Sequence, residues 1–283
     1  MRTAFSVSRE STTSADGTVI GYRRLGSGPP VLVLHGSMQA AQHMMRLAYA
    51  LADDFTVDVV DRRGRGDSGP HGNAYQLARE IEDVAAVAEA TGATRIFGLS
   101  SGGLVTLYAA RSLPQLDRVA VYEPPLSVNG SAPTAWLDRF DREIAAAEPA
   151  KAMITALKSL GVDPLFTRLP RPMLDLVMPL AVRMQRDVPD GDVPIMTLIP
   201  TMHYDISLIN ETADTVHELA QLDARVLLLG GTRSPQYLAT ALDALAATIP
   251  GAEQRMLPGL GHSGPDEDGK PEVVAEVLRT FFR

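Results

Sequence analysis

Residues 96–113 read IFGLSSGGLVTLYAARSL. The first four letters are an apolar run typical of a buried strand, and a helical stretch follows from Gly102. Gly98, Ser100 and Gly102 form a G-x-S-x-G pattern at the junction, where so tight a turn leaves no room for a Cβ at either glycine. Such a turn strains the serine backbone and raises its Oγ above the sheet edge, at a helix N-terminus that favours negative charge. The pattern predicts Ser100 as a nucleophile, with an ordinary glycine-rich turn as the alternative.

Strand–helix alternation extends outward from this junction in both directions. Short apolar runs rich in β-branched residues predict strands buried on both faces, and helical stretches separate them. This alternation predicts an α/β fold with a mostly parallel sheet and helices on both faces. The turn composition at residues 15–17 adds an N-terminal hairpin. The predicted strands are residues 4–8, 19–24, 31–34, 57–60, 96–99, 119–122, 226–229 and 254–257; the predicted helices are 40–51, 74–91, 102–113, 235–247 and one that starts at Pro271.

The alternation stops after Glu123-Pro124-Pro125 and resumes near residue 220. Helices at 132–147 and 150–160 are followed by a stretch interrupted by prolines. We interpret residues 126–219 as a helical lid inserted between the two parts of the core, residues 1–125 and 220–283. Six methionines between positions 153 and 202 suit a deformable apolar pocket, although methionine is also ordinary core filler. The candidate substrate contacts are Met178 and Met202 of the lid and Met38 of the loop after the 31–34 strand.

Composition excludes several classes of protein. The 283 residues are 45% hydrophobic and 21% charged, which is ordinary for a globular protein, and no apolar run approaches the ~20 residues of a membrane helix. The chain has no cysteine, which excludes disulfides, thiolate metal sites and a cysteine nucleophile and fits a cytoplasmic location. The net charge of -8 disfavours nucleic acid as a partner. We expect a small-molecule partner, no metal and no cofactor; a homodimer is left open.

Two further loops carry groups that a serine nucleophile needs. His262 lies in the glycine-flanked loop 258–264, after the last predicted strand, where flanking glycines let a loop carry an imidazole back over the sheet edge. His35-Gly36-Ser37-Met38 follows the 31–34 strand. We assign an oxyanion hole to the backbone N–H groups of Ser37 and Ser101, with Met38 as a third candidate donor. The side chain of His35 is interpreted as buried and structural.

The remaining histidines are interpreted as bystanders. His43 and His71 are expected on a helix surface and in a loop. His203 and Asp205 form an H-x-D pair, but no third ligand is visible in the sequence, which argues against a metal site.

These elements together resemble the α/β-hydrolase superfamily. The resemblance rests on His35-Gly36, on the run DRRGRGDSG at 61–69, on the Ser100 turn and on the Gly261-His262 loop, in this order over nearly the whole chain. It implies an eight-stranded sheet. It also implies that the 61–69 run is a structural turn; phosphate binding by its arginines is the alternative, disfavoured because no P-loop lysine is present.

The acid of the triad departs from the usual superfamily pattern. The position where an aspartate is expected, after the 226–229 strand, is occupied by Ser234, which cannot stabilise an imidazolium by charge. Asp223 precedes its strand and so lies at the wrong edge, and Asp205 is expected in a mobile insertion. Glu123 directly follows the 119–122 strand, and the resemblance extends to the zearalenone lactonase type, which carries its acid after this earlier strand. We assign Glu123 as the acid, with a structural glutamate as the alternative.

The combined pattern predicts a serine hydrolase that cleaves an ester or lactone of a small, largely apolar substrate through an acyl-enzyme. Thioester hydrolysis, carbon–carbon bond hydrolysis and perhydrolysis share the serine and are not distinguished from it. Dehalogenase and epoxide hydrolase activities are disfavoured, because those relatives carry an aspartate where Ser100 stands. The alternative from another class is a non-hydrolytic protein of this fold (a cyclase, a lyase or a small-molecule-binding protein), which the absence of an acid at Ser234 would favour.

Overall fold

The computed structural model describes residues 5–184 and 188–283. One eight-stranded sheet has the order β1-β2-β4-β3-β5-β6-β7-β8. The pairs β1–β2 and β2–β4 are antiparallel and all others are parallel, so the predicted mostly parallel sheet is confirmed. The strands are β1 (Ser8–Thr13), β2 (Val19–Gly26), β3 (Pro30–Leu34), β4 (Thr56–Val60), β5 (Arg95–Leu99), β6 (Arg118–Tyr122), β7 (Arg225–Gly231) and β8 (Glu253–Leu257).

Helices cover both faces of the sheet. Alternate residues of a central strand belong to different cores: Val31 and Val33 of β3 pack on one side, and Leu32 and Leu34 on the other. The first core includes α1 and α11, and the second includes α2, α3 and α10. The helices of this part of the chain are α1 (Met45–Leu51), α2 (Leu77–Thr91), α3 (Ser101–Ser112), α10 (Gln236–Thr248) and α11 (Pro271–Phe282).

Between β6 and β7, in the stretch interpreted as a lid, the described residues form six α-helices. They are α4 (Leu137–Ala145), α5 (Pro149–Leu160), α6 (Pro164–Arg168), α7 (Arg171–Met184), α8 (Ile195–Leu198) and α9 (Met202–Glu211). α9 packs on α3, and α7 packs on α5. We call residues 126–219 the insertion below; its bounds as a separate unit stay a prediction.

The first strand is placed differently from the prediction. β1 runs over Ser8–Thr13 rather than 4–8, and residue 4 lies outside the described residues. The 15–17 turn fixes the partners of the hairpin, because Thr13 pairs with Val19 and Ser8 with Arg24. β1 is an edge strand whose residues are almost all exposed, so it needs no apolar run and gives no hydrophobic signal.

Three helices begin later than predicted. α1 starts at Met45 rather than 40, because Ala41–Met44 form a 3-10 turn. α2 starts at Leu77 rather than 74, after an extended Gln76. α4 starts at Leu137 rather than 132, and the indole of Trp136 just before it donates a hydrogen bond to the carbonyl of Pro133. In the part of the chain described, no helix is long and apolar enough to cross a bilayer.

Candidate active site

Ser100 stands at the turn between β5 and α3. Its backbone has φ 54° and ψ −125°, a strained conformation for a residue with a side chain. A Cβ on Gly98 would lie 2.4 Å from the carbonyl oxygen of Gly102, and one on Gly102 would lie 2.3 Å from that of His35. The two glycines are therefore required by space, as the sequence pattern predicts.

Glu123 reaches the same edge of the sheet because three strands end in register. Leu99, Tyr122 and Leu229 lie side by side across β5, β6 and β7. The N–H of Ser100 donates to the carbonyl of Tyr122 and that of Glu123 to Leu229, each at 2.9 Å. Glu123 has φ 48° and is buried, and its Oε1 accepts a hydrogen bond of 2.6 Å from the N–H of Gly231.

His262 lies between these two side chains. Its Nδ1 is 2.7 Å from Oε2 of Glu123, and its Nε2 is 3.0 Å from Oγ of Ser100. A carboxylate only accepts hydrogen bonds, so Nδ1 carries the proton and Nε2 is free to accept the hydroxyl proton of Ser100. The loop is held by Tyr122, whose hydroxyl donates to the carbonyl of Gly261 at 2.8 Å. The contact expected between Glu123 and His262 is thus present in the structure.

The loop after β3 approaches the nucleophile closely. A Cβ on Gly36 would lie 3.1 Å from the Cβ of Ser100. His35 is fully buried; its Nε2 accepts the N–H of Arg62 at 3.2 Å, so its Nδ1–H donates to the carbonyl of Gly36 at 2.9 Å. The C=O of Gly36 and the N–H of Ser37 belong to one trans peptide and point in opposite directions. The hydrogen bond from His35 to the carbonyl therefore also fixes the direction of the Ser37 N–H.

A cavity of about 620 Å³ opens at this edge of the sheet. Ser100, His262, Ser37 and Met38 line it together with an apolar group and a polar group. The apolar group comes largely from the insertion and includes Met153, Leu157, Leu160, Met202, Ile206 and Ile209. The polar group comprises Gln39, Gln42, His43, Ser263, Asp266, Glu267 and Asp268.

Comparison with known proteins agrees with this geometry. A family model of the alpha/beta hydrolase family matches residues 31–277. A crystal structure of an alpha/beta hydrolase from Sphaerobacter thermophilus is 31% identical, has a TM-score of 0.76 and covers 97% of this chain and 100% of its own. The chain belongs to the alpha/beta hydrolase family.

Two further similarities bear on this family member. A pimeloyl-[acyl-carrier protein] methyl ester esterase of Xanthomonas oryzae is 27% identical over 262 residues, which cover 91% of this chain and 96% of the esterase. The enol-lactonase from Burkholderia xenovorans shares the fold at 19% identity, with a TM-score of 0.70 and coverage of 96% of this chain and 99% of the lactonase.

The arginines of the 61–69 run are structural in this alpha/beta hydrolase. Arg62 and Arg65 pair with Asp205, Arg62 also pairs with Glu80, and Arg63 pairs with Asp83. Burial alone would lower the pKa of Arg62, but Glu80 and Asp205 outweigh it and raise that pKa above its usual value. With their guanidinium groups paired inside the protein, these arginines do not form a phosphate site.

Two sequence interpretations need correction, those of His43 and Asp205. His71 lies in a loop as predicted, but it is buried there and stacked on Tyr204 at 3.6 Å between ring centroids, and burial followed by the charge of Arg65 lowers its pKa to about 3. His43 is half-buried and lines the cavity rather than a free helix surface. Asp205, expected in a mobile insertion, is fully buried between two arginines.

The two side chains of the H-x-D pair have different partners. His203 pairs with Asp141 at 3.0 Å, whereas Asp205 points to the arginines. No group of three or more potential metal ligands occurs within residues 5–184 and 188–283.

The methionines divide between cavity and core. Met38 and Met202 line the cavity, as expected of substrate contacts. Met178 does not line it, because α7 packs on α5 and Met178 packs against the apolar core instead. The side chain of Met184 lies outside the described residues.

Gln39 and Asp266 form a contact that sequence reasoning missed. Gln39 accepts the N–H of Gly36 at 2.9 Å through Oε1, and its Nε2 donates to Asp266 at 2.9 Å. This pair ties the loop after β3 to the loop of His262. Burial raises the pKa of Asp266 to about 6. Only its place four residues after His262 singles it out in the sequence.

We predict that Ser100→Ala abolishes turnover of p-nitrophenyl esters and leaves the fold intact. Loss of a triad serine costs on the order of 10⁶ in kcat. Ser101→Ala should cost far less, because its backbone N–H remains. Steady-state kinetics and circular dichroism of both variants check this; an active Ser100→Ala with a dead Ser101→Ala would contradict the assignment.

We predict that Glu123→Gln lowers kcat by up to about 10⁴. The Gln carbonyl can keep the Gly231 contact, but its NH₂ then faces Nδ1 of His262 and forces the proton onto Nε2. Ser234→Ala serves as the control and should be nearly silent, because Oγ of Ser234 has no hydrogen-bond partner within the described chain. Measuring kcat of both variants on one ester tests this prediction. Near-normal activity of Glu123→Gln would show that Glu123 is not the triad acid.

We predict that Asp266→Asn stabilises the protein more at high pH than at low pH. The carboxyl of Asp266 has a pKa of about 6 in the folded protein and an ordinary value of 3.8, so the wild type loses stability as the pH rises through this window. The penalty is absent below about pH 4 and reaches up to about 3 kcal/mol above about pH 6. Chemical denaturation across pH 4 to 8 measures it, with the exposed Asp53→Asn as control. A gain that does not change with pH would refute the prediction.

Proposed function

We propose that the protein is a serine hydrolase that cleaves an ester or lactone of a small, largely apolar substrate through an acyl-enzyme. The observation that carries the proposal is the continuous chain from Glu123 through His262 to Ser100, with separations of 2.7 and 3.0 Å, at the wall of a cavity of about 620 Å³. Each group can thus perform the role that the triad chemistry requires.

The enzyme class also follows from the relatives. The methyl ester esterase named above aligns over nine-tenths of the chain, which bears out the predicted hydrolase acting on esters. The bond, the acyl group and the alcohol in this protein are part of the proposal.

In the proposed reaction, Oγ of Ser100 attacks the ester carbonyl carbon while Nε2 of His262 takes its proton. The backbone N–H groups of Ser37 and Ser101 bind the resulting oxyanion. The tetrahedral intermediate collapses, the bond to the alcohol oxygen breaks, and His262 returns the proton to the departing alcohol. Water, deprotonated by His262, then attacks the acyl-enzyme and releases the acid and Ser100.

Glu123 supports both halves of this cycle. Its Oε2 holds the His262 ring by Nδ1–H, and the carboxylate stabilises the imidazolium that forms in each step. Oε1 is held by the N–H of Gly231, so the carboxylate cannot rotate freely. The missing acid at Ser234 favoured the non-hydrolytic alternative, whereas the contact between Glu123 and His262 supports the hydrolase proposal.

The two sides of the cavity suggest where each part of the substrate binds. His262 protonates the leaving alcohol, so the polar residues that follow it, Ser263 and Asp266, lie on the alcohol side. The acyl group then extends under the insertion, against Leu157 and Ile206. A charged acyl group would lose its hydration there without gaining a partner, so the substrate acyl group is apolar.

We predict that p-nitrophenyl hexanoate is hydrolysed with at least about tenfold higher kcat/KM than the p-nitrophenyl monoester of adipate, whose acyl chain ends in a carboxylate. Leu157→Ala should lower kcat/KM for the hexanoate by about tenfold and leave the acetate unchanged. Leu176→Ala is the matched control, because that leucine of α7 is 80% exposed and does not line the cavity. Equal rates for the two esters would contradict an apolar acyl side.

Labelling with a fluorophosphonate tests the proposed function directly. The wild type should be labelled at Ser100, and Ser100→Ala should not be labelled at all. An unlabelled wild type that hydrolyses none of these esters would overturn the serine hydrolase proposal.

A further inference from the structure

Four ionised side chains are buried together behind the turn that carries Ser100. We call Arg62, Arg65, Glu80 and Asp205 the arginine cluster; each is at most 2% exposed. Arg62 lies between Glu80 at 2.8 Å and Asp205 at 2.9 Å, and Arg65 contacts Asp205 at 2.7 Å. Three members belong to the core, and Asp205 belongs to α9 of the insertion.

The hydroxyl of Ser101 is part of this cluster. It donates to Oδ1 of Asp205 at 2.9 Å and accepts from Nη1 of Arg62 at 3.0 Å. It also accepts a hydrogen bond of 3.2 Å from the hydroxyl of Ser37. One donor and two acceptor positions are thereby all used, which leaves this side chain a single orientation.

These contacts join the two residues whose N–H groups form the proposed oxyanion hole. Ser37 lies on the loop after β3 and Ser101 is the first residue of α3, 64 residues later, and their hydroxyls meet directly. The backbone of Arg62 also restrains the loop after β3. Its N–H donates to Nε2 of His35, whose Nδ1–H donates to the carbonyl of Gly36. The cluster therefore restrains both donors, and the only member that the insertion supplies is Asp205.

We propose that Asp205 is a positioning residue of the oxyanion hole, which it sets by anchoring the hydroxyl of Ser101 and, through it, that of Ser37. The inference rests on the proposed serine hydrolase function. The insertion then does more than cover the substrate: it completes the catalytic site from behind. A hole donor displaced by a fraction of an ångström stabilises the oxyanion less, while the ground-state substrate is bound as before.

Comparing Ser101→Ala with Asp205→Asn distinguishes the effect of the Ser101 hydroxyl from the effect of the Asp205 charge. Ser101→Ala keeps all four charges of the arginine cluster and removes only the anchor. Asp205→Asn removes one negative charge, and its extra effect over Ser101→Ala reports the field of the unpaired arginines. Asp205→Glu keeps the charge and tests whether a longer carboxylate restores function.

Asp83→Asn is the matched control. Asp83 pairs with Arg63 at 2.6 Å, is nearly as buried as Asp205 and lies in α2, and it makes no hydrogen bond to Ser37 or Ser101. Asp83→Asn and Asp205→Asn each break a buried ion pair, so both should lower Tm. Only those at Asp205 and Ser101 should impair the oxyanion hole.

The measurements are kcat and KM on p-nitrophenyl hexanoate, Ki for a trifluoromethyl ketone with the same acyl chain, and Tm. The ketone forms a tetrahedral adduct with Ser100 and so reports the hole. We expect Ser101→Ala and Asp205→Asn to lower kcat by about ten- to a hundredfold, because removing a whole donor costs about 10²–10³. Ki should rise by the same factor and KM should stay within about twofold, since only the transition state uses the hole. Asp205→Glu should recover part of the loss, and Asp83→Asn should change Tm alone.

Unchanged kcat and Ki in Asp205→Asn, or a loss equal to that of Asp83→Asn, would overturn the inference while the serine hydrolase proposal stands. If Asp205→Asn does not fold, Ser101→Ala decides in the same way. A wild type without activity on any ester overturns the proposed function and this inference with it.

Discussion

Leu99, Tyr122 and Leu229 lie side by side because β5, β6 and β7 are parallel strands in register, and the rest of the site depends on that alignment. The residues that follow these strands emerge at one edge, where the backbone hydrogen bonds of Ser100 and Glu123 extend the ladder by one step. Glu123 can therefore replace an acid after β7. Its longer side chain reaches His262 from the neighbouring strand, and Gly231 of β7 holds its other oxygen.

Three residues around this edge have strained backbones. Met38, Ser100 and Glu123 all adopt φ near +50°, a region that residues with side chains seldom occupy. Such conformations persist only where the surroundings fix them, here the strand ladder, the glycine contacts and the loop after β3. Ser100 and Glu123 are groups that would perform the chemistry; the other described non-glycine residues with positive φ, Asn129, Ala147 and Asp214, lie in the insertion.

The arginine cluster raises the question of why charges are buried at all. Replacing a buried ion pair by apolar residues is often neutral or stabilising, so stability alone does not explain the cluster. Its geometry offers a different reason, because charged hydrogen bonds impose direction and apolar contacts do not. Arg62 uses its guanidinium on Glu80, Asp205 and Ser101 and its backbone on His35, and so joins the core, the insertion and the two loops around Ser100.

Local sequence determined the parts of the protein whose signal lies within a few residues. The glycine spacing around Ser100 and the apolar runs of the central strands could be read from the chain. So could the position of Glu123 directly after one strand and that of His262 in the loop after the last strand, because strand direction fixes the edge at which a following residue emerges. Edge strand β1 could not, since a strand exposed on both sides has no apolar period. Asp205 meets Ser101 across 104 residues, and Gln39 meets Asp266 across 227. Such contacts leave no local periodicity, and only the packing of the insertion and loops on the finished sheet decides them.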